Sequence, residues 1–258
     1  MRSHEQTVHT QFDPHAEAYL HSAVHSAGPD LQHARTLLGQ CPGTLPRALD
    51  VGCGAGHLAF AIAAHVGRVV ALDPSANMLA AVTRGAAARG LEQIEVRSGS
   101  AESLPFAEES FALVCTRYSA HHWTRLPAAV QEMSRVLAPG GHALIIDAIA
   151  PEDPLVDTHF QAMELLRDPS HVRDRSVGEW RELFAAARFT ELEYRQWPVR
   201  IEFASWVARM RTPENSIAAI RALQNGAPHE VQAALGLEAD GSFVLQTGLF
   251  WLVKAGRP

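Results

Sequence analysis

Two acidic residues and a glycine-rich loop stand where the first apolar runs of the sequence end. The loop contains three glycines at alternate positions, Gly52, Gly54 and Gly56, and Asp50 lies just before it. Glycine has no Cβ, so a ligand can approach the backbone at such a turn. Asp73 ends the next apolar run, where a carboxylate can accept hydrogen bonds from both hydroxyl groups of a ribose. These residues predict a site for a ligand that contains a nucleoside.

The spacing of the glycines and the charge of Asp50 distinguish between two ligands that contain a nucleoside, a dinucleotide such as NAD and S-adenosylmethionine (SAM). A dinucleotide-binding loop reads G-x-G-x-x-G and holds a pyrophosphate at a helix N-terminus, whereas Gly56 comes one residue too early for that pattern. The carboxylate of Asp50 would repel a pyrophosphate but attract the ammonium and sulfonium groups of SAM. The loop and Asp50 together therefore favour SAM over NAD. The glycine loop taken alone could instead be a tight turn that binds no ligand.

Two adjacent histidines are the candidates for acid–base chemistry. His121 and His122 follow the fourth predicted strand, and this loop should open at the same sheet edge as the glycine loop. Histidine, with an ordinary pKa of about 6.5, suits general-base catalysis near neutral pH. Either residue could instead pack or cap a helix. His21 and His25 are four residues apart, but no third ligand is spaced to join them, so no metal site is predicted.

Alternating strands and helices must position these residues. Short apolar runs alternate with longer helical stretches, which predicts an α/β fold with a seven-stranded, mostly parallel sheet and helices on both faces. Ser75 is a plausible N-cap, and Pro139-Gly140-Gly141 should end a helix. The strands are predicted at residues 47–51, 68–73, 94–97, 111–115, 142–147, 190–197 and 243–253. The helices are predicted at residues 57–65, 75–88, 128–137, 154–167, 176–187 and 203–235.

Residues 10–28 are predicted to form a helix that covers the site. Phe12 and Tyr19 lie on one apolar stripe of this segment, Pro14 fits its first turn, and Gly28-Pro29 would end it. The predicted domains are an N-terminal helical lid (1–40), a SAM-binding core (41–150) and a C-terminal part that completes the sheet and adds helical insertions over the substrate (151–258).

Composition limits the partners. The 258 residues carry a net charge of -6, which argues against a nucleic-acid backbone as partner. No apolar run approaches the roughly 18 residues of a membrane span, and no signal peptide is apparent. Three cysteines without metal-ligand spacing fit reduced thiols, so we expect a cytoplasmic protein.

Four blocks of the sequence resemble, in order, the motifs of the class I SAM-dependent methyltransferases. The blocks are residues 49–56, 70–75 with Met78, 99–106 and 135–141. The resemblance implies a Rossmann-like fold whose last strand is antiparallel. It also implies that Asp73 holds the ribose and that Pro74 lies beside the adenine. It also implies that Ala101 and Glu102 approach the adenine ring. Arg117 would line the cofactor through its backbone, with an ion pair as the alternative.

Further blocks are similar to the small-molecule branch around the ubiquinone and menaquinone C-methyltransferases. They are Phe106 with Ser110-Phe111, His121-His122-Trp123, and residues 12–19. In that branch, the N-terminal helix folds over the SAM site, which implies that Tyr19 contacts the methionine end of SAM.

The sequence thus predicts methyl transfer from SAM to a carbon or oxygen of a small-molecule acceptor, with S-adenosylhomocysteine as the product. Two alternatives stay open: a non-catalytic SAM-binding or regulatory protein, and an NAD-dependent oxidoreductase, which Asp50 disfavours. Methyl transfer relies mainly on orientation, so no fixed catalytic motif is expected. The expected partners are the acceptor and, as an option, a second copy of the chain, but neither nucleic acid nor a membrane.

Overall fold

The computed structural model describes residues 3–12, 20 and 27–256. Seven strands form one sheet with the order β3-β2-β1-β4-β5-β7-β6. The strands are β1 (Ala48–Val51), β2 (Val69–Asp73), β3 (Ile94–Ser98), β4 (Phe111–Arg117), β5 (Leu137–Ile149), β6 (Phe189–Ile201) and β7 (Phe243–Lys254). Strands β1 to β5 pair in parallel, whereas β7 runs antiparallel to both β5 and β6. The predicted fold class and the antiparallel last strand are confirmed.

Helices cover both faces of this sheet. In the described part of the chain they are α1 (His4–Phe12), α2 (Pro29–Gln40), α3 (His57–Ile62), α4 (Ala76–Ala87), α5 (Leu126–Val136), α6 (Pro154–Arg167), α7 (Val177–Ala186), α8 (Phe203–Arg209), α9 (Glu214–Asn225) and α10 (His229–Leu235). Short 3₁₀ turns at Ala63–His65 and Ala120–His122 follow α3 and β4. None of the described helices is both long and apolar enough to cross a membrane.

Side chains of the central strands point alternately to the two faces of the sheet, and they form one hydrophobic core on each face. In β1, Leu49 and Val51 belong to one buried cluster, while Ala48 belongs to the cluster on the opposite face. Side chains point to alternate faces of a strand, so a central strand with helices on both sides is apolar throughout. The first cluster is completed by α5 and α7, and the second by α2 and α3. The sheet is thereby held as a rigid platform for the loops at its carboxyl edge.

A third apolar cluster lies at the C-terminal half of the chain. Phe160 of α6, Trp206 of α8, Ile220 of α9 and Val231 of α10 pack with Phe243, the first residue of β7. This cluster fixes α6 and α8 beside the carboxyl edge of the sheet. The helices predicted between β6 and β7 therefore form a buried unit that rests on β7.

The starts of β5 and of α2 differ from the prediction. Strand β5 begins at Leu137, directly after α5, and includes the Pro139-Gly140-Gly141 segment that was expected to be a helix stop. The sheet accommodates it because the pairing register shifts between Phe111 and Leu113 of β4. Helix α2 begins at Pro29, which was expected only to end a preceding helix. Proline is favourable at the first position of a helix because its missing N–H needs no partner there.

Candidate active site

A cavity of about 710 Å³ opens at the carboxyl edge of the sheet. Its volume lies within the range of small-molecule sites, which is roughly 300–1,000 Å³. Residues that follow β1, β2, β3 and β4 line one end, and residues of α6, α8 and the loop after α6 line the other. Ligands in open α/β sheets bind at this edge, so the cavity lies where the sequence placed the site.

The glycine loop forms the floor of the cavity next to β1. Gly52, Gly54 and Gly56 all have positive φ angles, of 65°, 50° and 88°, a region that favours glycine. A Cβ at Gly52 would lie 2.0 Å from the Ser119 hydroxyl oxygen, whereas a Cβ at Gly54 would meet no atom within 4 Å. Gly52 therefore allows close contact with the loop after β4, and Gly54 leaves its backbone open to a ligand. Gly56 does not line the cavity and instead packs against Phe60.

Asp73 is held in place by two backbone amides. Its Oδ2 accepts from Gly54 N at 2.9 Å, and its Oδ1 accepts from Ser75 N at 2.9 Å. The carboxylate is buried and lines the cavity at the end of β2. These bonds fix both oxygens, so the group is preorganised to accept hydrogen bonds from a ligand. Ser75 caps α4 by accepting from Met78 N at 3.1 Å, as predicted.

Asp50 is a buried carboxylate behind the glycine loop. Its Oδ2 accepts from Ala59 N at 3.0 Å, and its Oδ1 has no hydrogen-bond partner in the described part of the chain. Burial raises the pKa of Asp50 to about 7, although the Ala59 amide opposes the shift; the nearby charge of Asp73 adds to it. An ionised Asp50 therefore needs a positive partner, and the cavity that it lines can supply one.

The other residues expected to lie around an adenine line the same end of the cavity. Pro74, Met78, Ala101 and Glu102 all belong to this wall. Glu102 accepts from Arg125 N at 2.7 Å and from the Thr124 hydroxyl at 2.9 Å. Burial opposes ionisation of Glu102, but these hydrogen bonds prevail and lower its pKa.

Arg117 and Tyr118 close the end of β4. The Arg117 guanidinium forms a buried ion pair with Asp30 of α2, with Nε and Oδ2 2.5 Å apart. Tyr118 has a φ of 51°, which is uncommon for a bulky residue and typical of functional loops. Its hydroxyl lies 2.8 Å from the Thr247 hydroxyl. Both residues line the cavity, and the Arg117 side chain forms the ion pair that was the alternative to a backbone contact with the cofactor.

The two predicted catalytic histidines lie side by side in the 3₁₀ turn after β4. Their ring centroids are 4.3 Å apart, and both line the cavity. His121 Nδ1 lies 2.6 Å from Asp147 Oδ1. Burial lowers the pKa of His121, but the Asp147 carboxylate more than compensates and the pKa rises to about 10.

His122 has the opposite electrostatic character. Its Nδ1 lies 3.0 Å from the Ser170 carbonyl oxygen, which can only accept, so Nδ1 carries the proton and Nε2 has the free lone pair. Burial and the neighbouring His121 lower the pKa of His122 to about 4. His122 is thus a neutral imidazole at neutral pH, and the two histidines differ in charge.

Several buried acidic groups surround the histidines, and the sequence analysis did not identify them. Asp147 and Asp174 are each 2% exposed, and Glu164 is also buried. His171 lies beside them, with its ring centroid 5.8 Å from that of His121. Asp147 follows the apolar run of the fifth strand, just as Asp73 follows that of the second strand. The sequence therefore carried the same signal for Asp147 as for Asp73. Asp174 and Glu164 had no such signal, because Glu164 lies on α6, Asp174 lies in the loop after α6, and only the folded chain brings both to the histidines.

Helix α1 crosses the mouth of the cavity. His4 Nε2 lies 2.9 Å from the His122 carbonyl oxygen, and Gln11 Nε2 donates to the Met210 carbonyl oxygen at 3.0 Å. The Phe12 ring packs edge-on against His122, with centroids 5.0 Å apart. Of the helix predicted over residues 10–28, only 10–12, 20, 27 and 28 are described; Tyr19 lies outside the described residues.

These features fit an adenosyl cofactor and define the class of the protein as a Rossmann-like, nucleoside-binding enzyme fold. Gly54 leaves room for a ligand at the backbone, and Asp50 carries a buried oxygen that lacks a partner in the described chain. A cationic methionine group suits such a carboxylate better than a pyrophosphate does.

Comparison with known proteins identifies the family. Residues 49–145 match the family model described as a methyltransferase domain. The chain is 45% identical over 192 residues to the uncharacterised protein YafE of Escherichia coli, covering 74% of this chain and 93% of YafE. It is 37% identical over 207 residues to the uncharacterised methyltransferase YcgJ of Bacillus subtilis, covering 80% of this chain and 81% of YcgJ.

A solved structure and an enzyme of named activity also resemble this chain. The YcgJ crystal structure superposes with a TM-score of 0.82 at 33% identity, covering 88% of this chain and 99% of that one. The demethylmenaquinone methyltransferase of Chlorobaculum parvum is 37% identical over 112 residues, or 43% of this chain and 44% of that enzyme. The chain belongs to the class I SAM-dependent methyltransferases.

Proposed function

We propose that the protein transfers a methyl group from SAM to a carbon or oxygen of a small, partly apolar acceptor. The observation that carries this proposal is the single cavity, which joins the glycine loop and Asp73 at one end to His121 and His122 at the other. Methyl transfer requires the donor and the nucleophile to be held in line, and a shared cavity permits this.

We propose a role for each residue at the cofactor end of the cavity. Asp73 would accept from the ribose hydroxyls, Asp50 would face the cationic methionine group, and Gly54 would admit the cofactor to the backbone. SAM supplies an activated methyl group when bound, and S-adenosylhomocysteine is the product. The remaining cofactor contacts that we propose are Tyr19, Gly52, Gly56, Pro74, Met78, Ala101, Glu102 and Arg117; Gly56 would act through the shape of the loop.

The acceptor end suits a molecule with an apolar body and a group that must lose a proton. Its walls include Phe12, Trp123, Trp206 and Met210. Because Nδ1 of His122 donates to a carbonyl, the lone pair of Nε2 is available to accept a proton from a hydroxyl or an acidic carbon. His121 would position His122 and balance charge through Asp147. The demethylmenaquinone methyltransferase of C. parvum, whose name gives its substrate, supports an acceptor of this kind.

Turnover with labelled SAM tests the proposal. The purified protein would be incubated with methyl-labelled SAM and a panel of phenols, quinols, enols and amines, and S-adenosylhomocysteine would be measured with and without each acceptor. We expect acceptor-dependent product from a hydroxyl or carbon acid. Tight SAM binding without turnover on any acceptor would favour the non-catalytic alternative, and calorimetric binding of NAD in place of SAM would favour an oxidoreductase.

We also propose that the enzyme works in the cytoplasm, and that a homodimer is one assembly to test. The described cysteines, Cys41, Cys53 and Cys115, are all free thiols, which supports a reducing compartment. Light scattering coupled to size exclusion distinguishes a monomer from a dimer.

A further inference from the structure

Three donor groups converge beside the acceptor end of the cavity. The ligand atoms that His121, Asp147 and Asp174 can offer all lie within 4.8 Å of one another. His121 Nδ1 lies 2.6 Å from Asp147 Oδ1 and 3.8 Å from Asp174 Oδ1. The bonds from a transition metal to nitrogen and oxygen donors are about 2.0–2.2 Å long, so one ion can reach donors with this spacing after small side-chain shifts.

The hydrogen bonds of this cluster are incomplete. Asp147 Oδ1 accepts from His121 and from Ala148 N at 2.8 Å. Asp147 Oδ2 and Asp174 Oδ1 are buried and have no hydrogen-bond partner among the described residues. Leaving buried carboxyl oxygens unpaired is costly, so two such atoms in one cluster indicate a ligand that completes it.

The nearby cationic side chains are directed to other partners. Arg167 pairs with Glu164 at 3.4 Å, and Arg173 pairs with Asp157 at 2.7 Å. His171 Nε2 lies 2.9 Å from Gln161 Oε1 but 3.9 Å from Asp174 Oδ2. The shorter contact therefore uses the proton on His171 Nε2, and Asp174 gains little from it.

The donor set favours a transition-metal ion. A divalent cation can reach the oxygens of Asp147 and Asp174 that the contact with His121 leaves unpaired. Imidazole with carboxylates is a donor set for manganese, iron, cobalt or zinc, whereas magnesium and calcium prefer oxygen alone.

We propose that His121, Asp147 and Asp174 bind one divalent transition-metal ion beside the acceptor end of the cavity. His121 and Asp174 line the cavity, so a bound ion can keep coordination positions open toward it. A hydroxyl of the acceptor could occupy such a position, and this last step alone rests on the proposed function.

Metal titration of the purified protein tests the site without SAM or an acceptor. After treatment with a chelator and its removal, wild-type protein would be titrated calorimetrically with Zn²⁺ and Mn²⁺, and with Co²⁺ while its visible absorption is recorded. We expect one equivalent to bind and the melting temperature to rise with metal concentration. Asp147→Asn and Asp174→Asn should each weaken binding at least about tenfold, because each removes a charged ligand.

A neighbouring carboxylate provides the matched control. Asp157→Asn changes the same residue type on α6, but Asp157 pairs with Arg173 and does not belong to the donor set. It should retain wild-type metal affinity. The proposal is overturned if the wild-type protein binds no metal, or if a folded Asp174→Asn variant binds metal as tightly as wild type. SAM affinity, measured on the same variants, should stay unchanged, which separates this site from the methyl-donor site.

Discussion

At the scale of single residues, the burial of Asp50 destabilises the folded protein when the carboxyl group is ionised, which is the form that would attract SAM. Its pKa rises from 3.8 to about 7 on folding. A raised carboxyl pKa means that the folded protein holds the proton more tightly, so stability falls as the pH rises from about 4 to about 7. At about 1.4 kcal/mol per pKa unit, roughly 4 kcal/mol is lost by pH 8.

Asp50→Asn should therefore stabilise the SAM-free protein at pH 8. Asparagine can still accept from Ala59 N, but its amide hydrogens lack a partner at a cost of about 1–3 kcal/mol, which leaves a net gain of about 1–3 kcal/mol. The gain should vanish below pH 4, where Asp50 is protonated in both states. SAM affinity should fall at pH 8. Urea denaturation at the two pH values and calorimetry measure these effects; a less stable variant at pH 8 would refute the argument.

Asp73→Ala should weaken SAM binding by a few kcal/mol. Hydrogen bonds to a charged group typically contribute ~1.5–3 kcal/mol each, and the carboxylate has two oxygens at the cavity. Asp240→Ala is a matched control because Asp240 accepts from the Ser242 amide and hydroxyl in a similar local motif outside the cavity. Unchanged SAM affinity in Asp73→Ala by calorimetry would remove Asp73 from the cofactor site.

His122→Ala should lower kcat with little change in SAM affinity. A general base usually contributes a factor of about 10²–10⁴, and loss of the base acts on the chemical step rather than on cofactor binding. His121→Ala should also lower kcat, since it removes the partner of Asp147. Losses of tenfold or less in both variants would mean that the histidines pack the loop and that orientation alone drives the reaction.

At the scale of helices and strands, the sequence predicted the central sheet better than the elements around the acceptor. Strands β1, β2 and β4 are mostly apolar runs that end at loops with distinctive residues, so the cofactor end could be located. Helix α2 was missed because Pro29 follows Gly28, a pair that suits the end of one helix as well as the start of another. Asp174 was missed because its position depends on contacts of the loop after α6 with Gln161 of α6 and with the end of β5, which no local pattern encodes.

Helix α1 should become more protected when the cofactor binds. Nine residues form a marginal helix in water, so its order depends on the contacts of His4, Gln11 and Phe12 across the cavity. Hydrogen exchange should slow in residues 4–12, and in the rest of the lid predicted over 10–28, on addition of SAM or its product. Helix α10, which does not line the cavity, is the control. Equal protection in both states would make α1 a fixed part of the fold.

At the scale of the whole molecule, the order of the strands makes the C-terminal part necessary for the core. Strand β7 comes last in the chain but lies between β5 and β6. Its residues Leu249, Phe250 and Leu252 are fully buried, and they belong to clusters on both faces of the sheet. Without β7, β5 would expose an unpaired edge and β6 would lose its place in the sheet.

A chain that stops after Ser242 should therefore fail to fold, even though it retains every predicted cofactor residue. Loss of four fully buried large side chains, Phe243, Leu249, Phe250 and Leu252, costs more than the roughly 5–15 kcal/mol by which a domain is normally stable, once the strand pairing is included. A chain that stops after Lys254 should melt close to the full protein, because it keeps all of β7 and loses, among the described residues, only Ala255, with its backbone bond to Arg188, and Gly256. Circular dichroism during heating compares the two. Cooperative melting and SAM binding by the shorter chain would show instead that β1 to β5 and their helices fold independently.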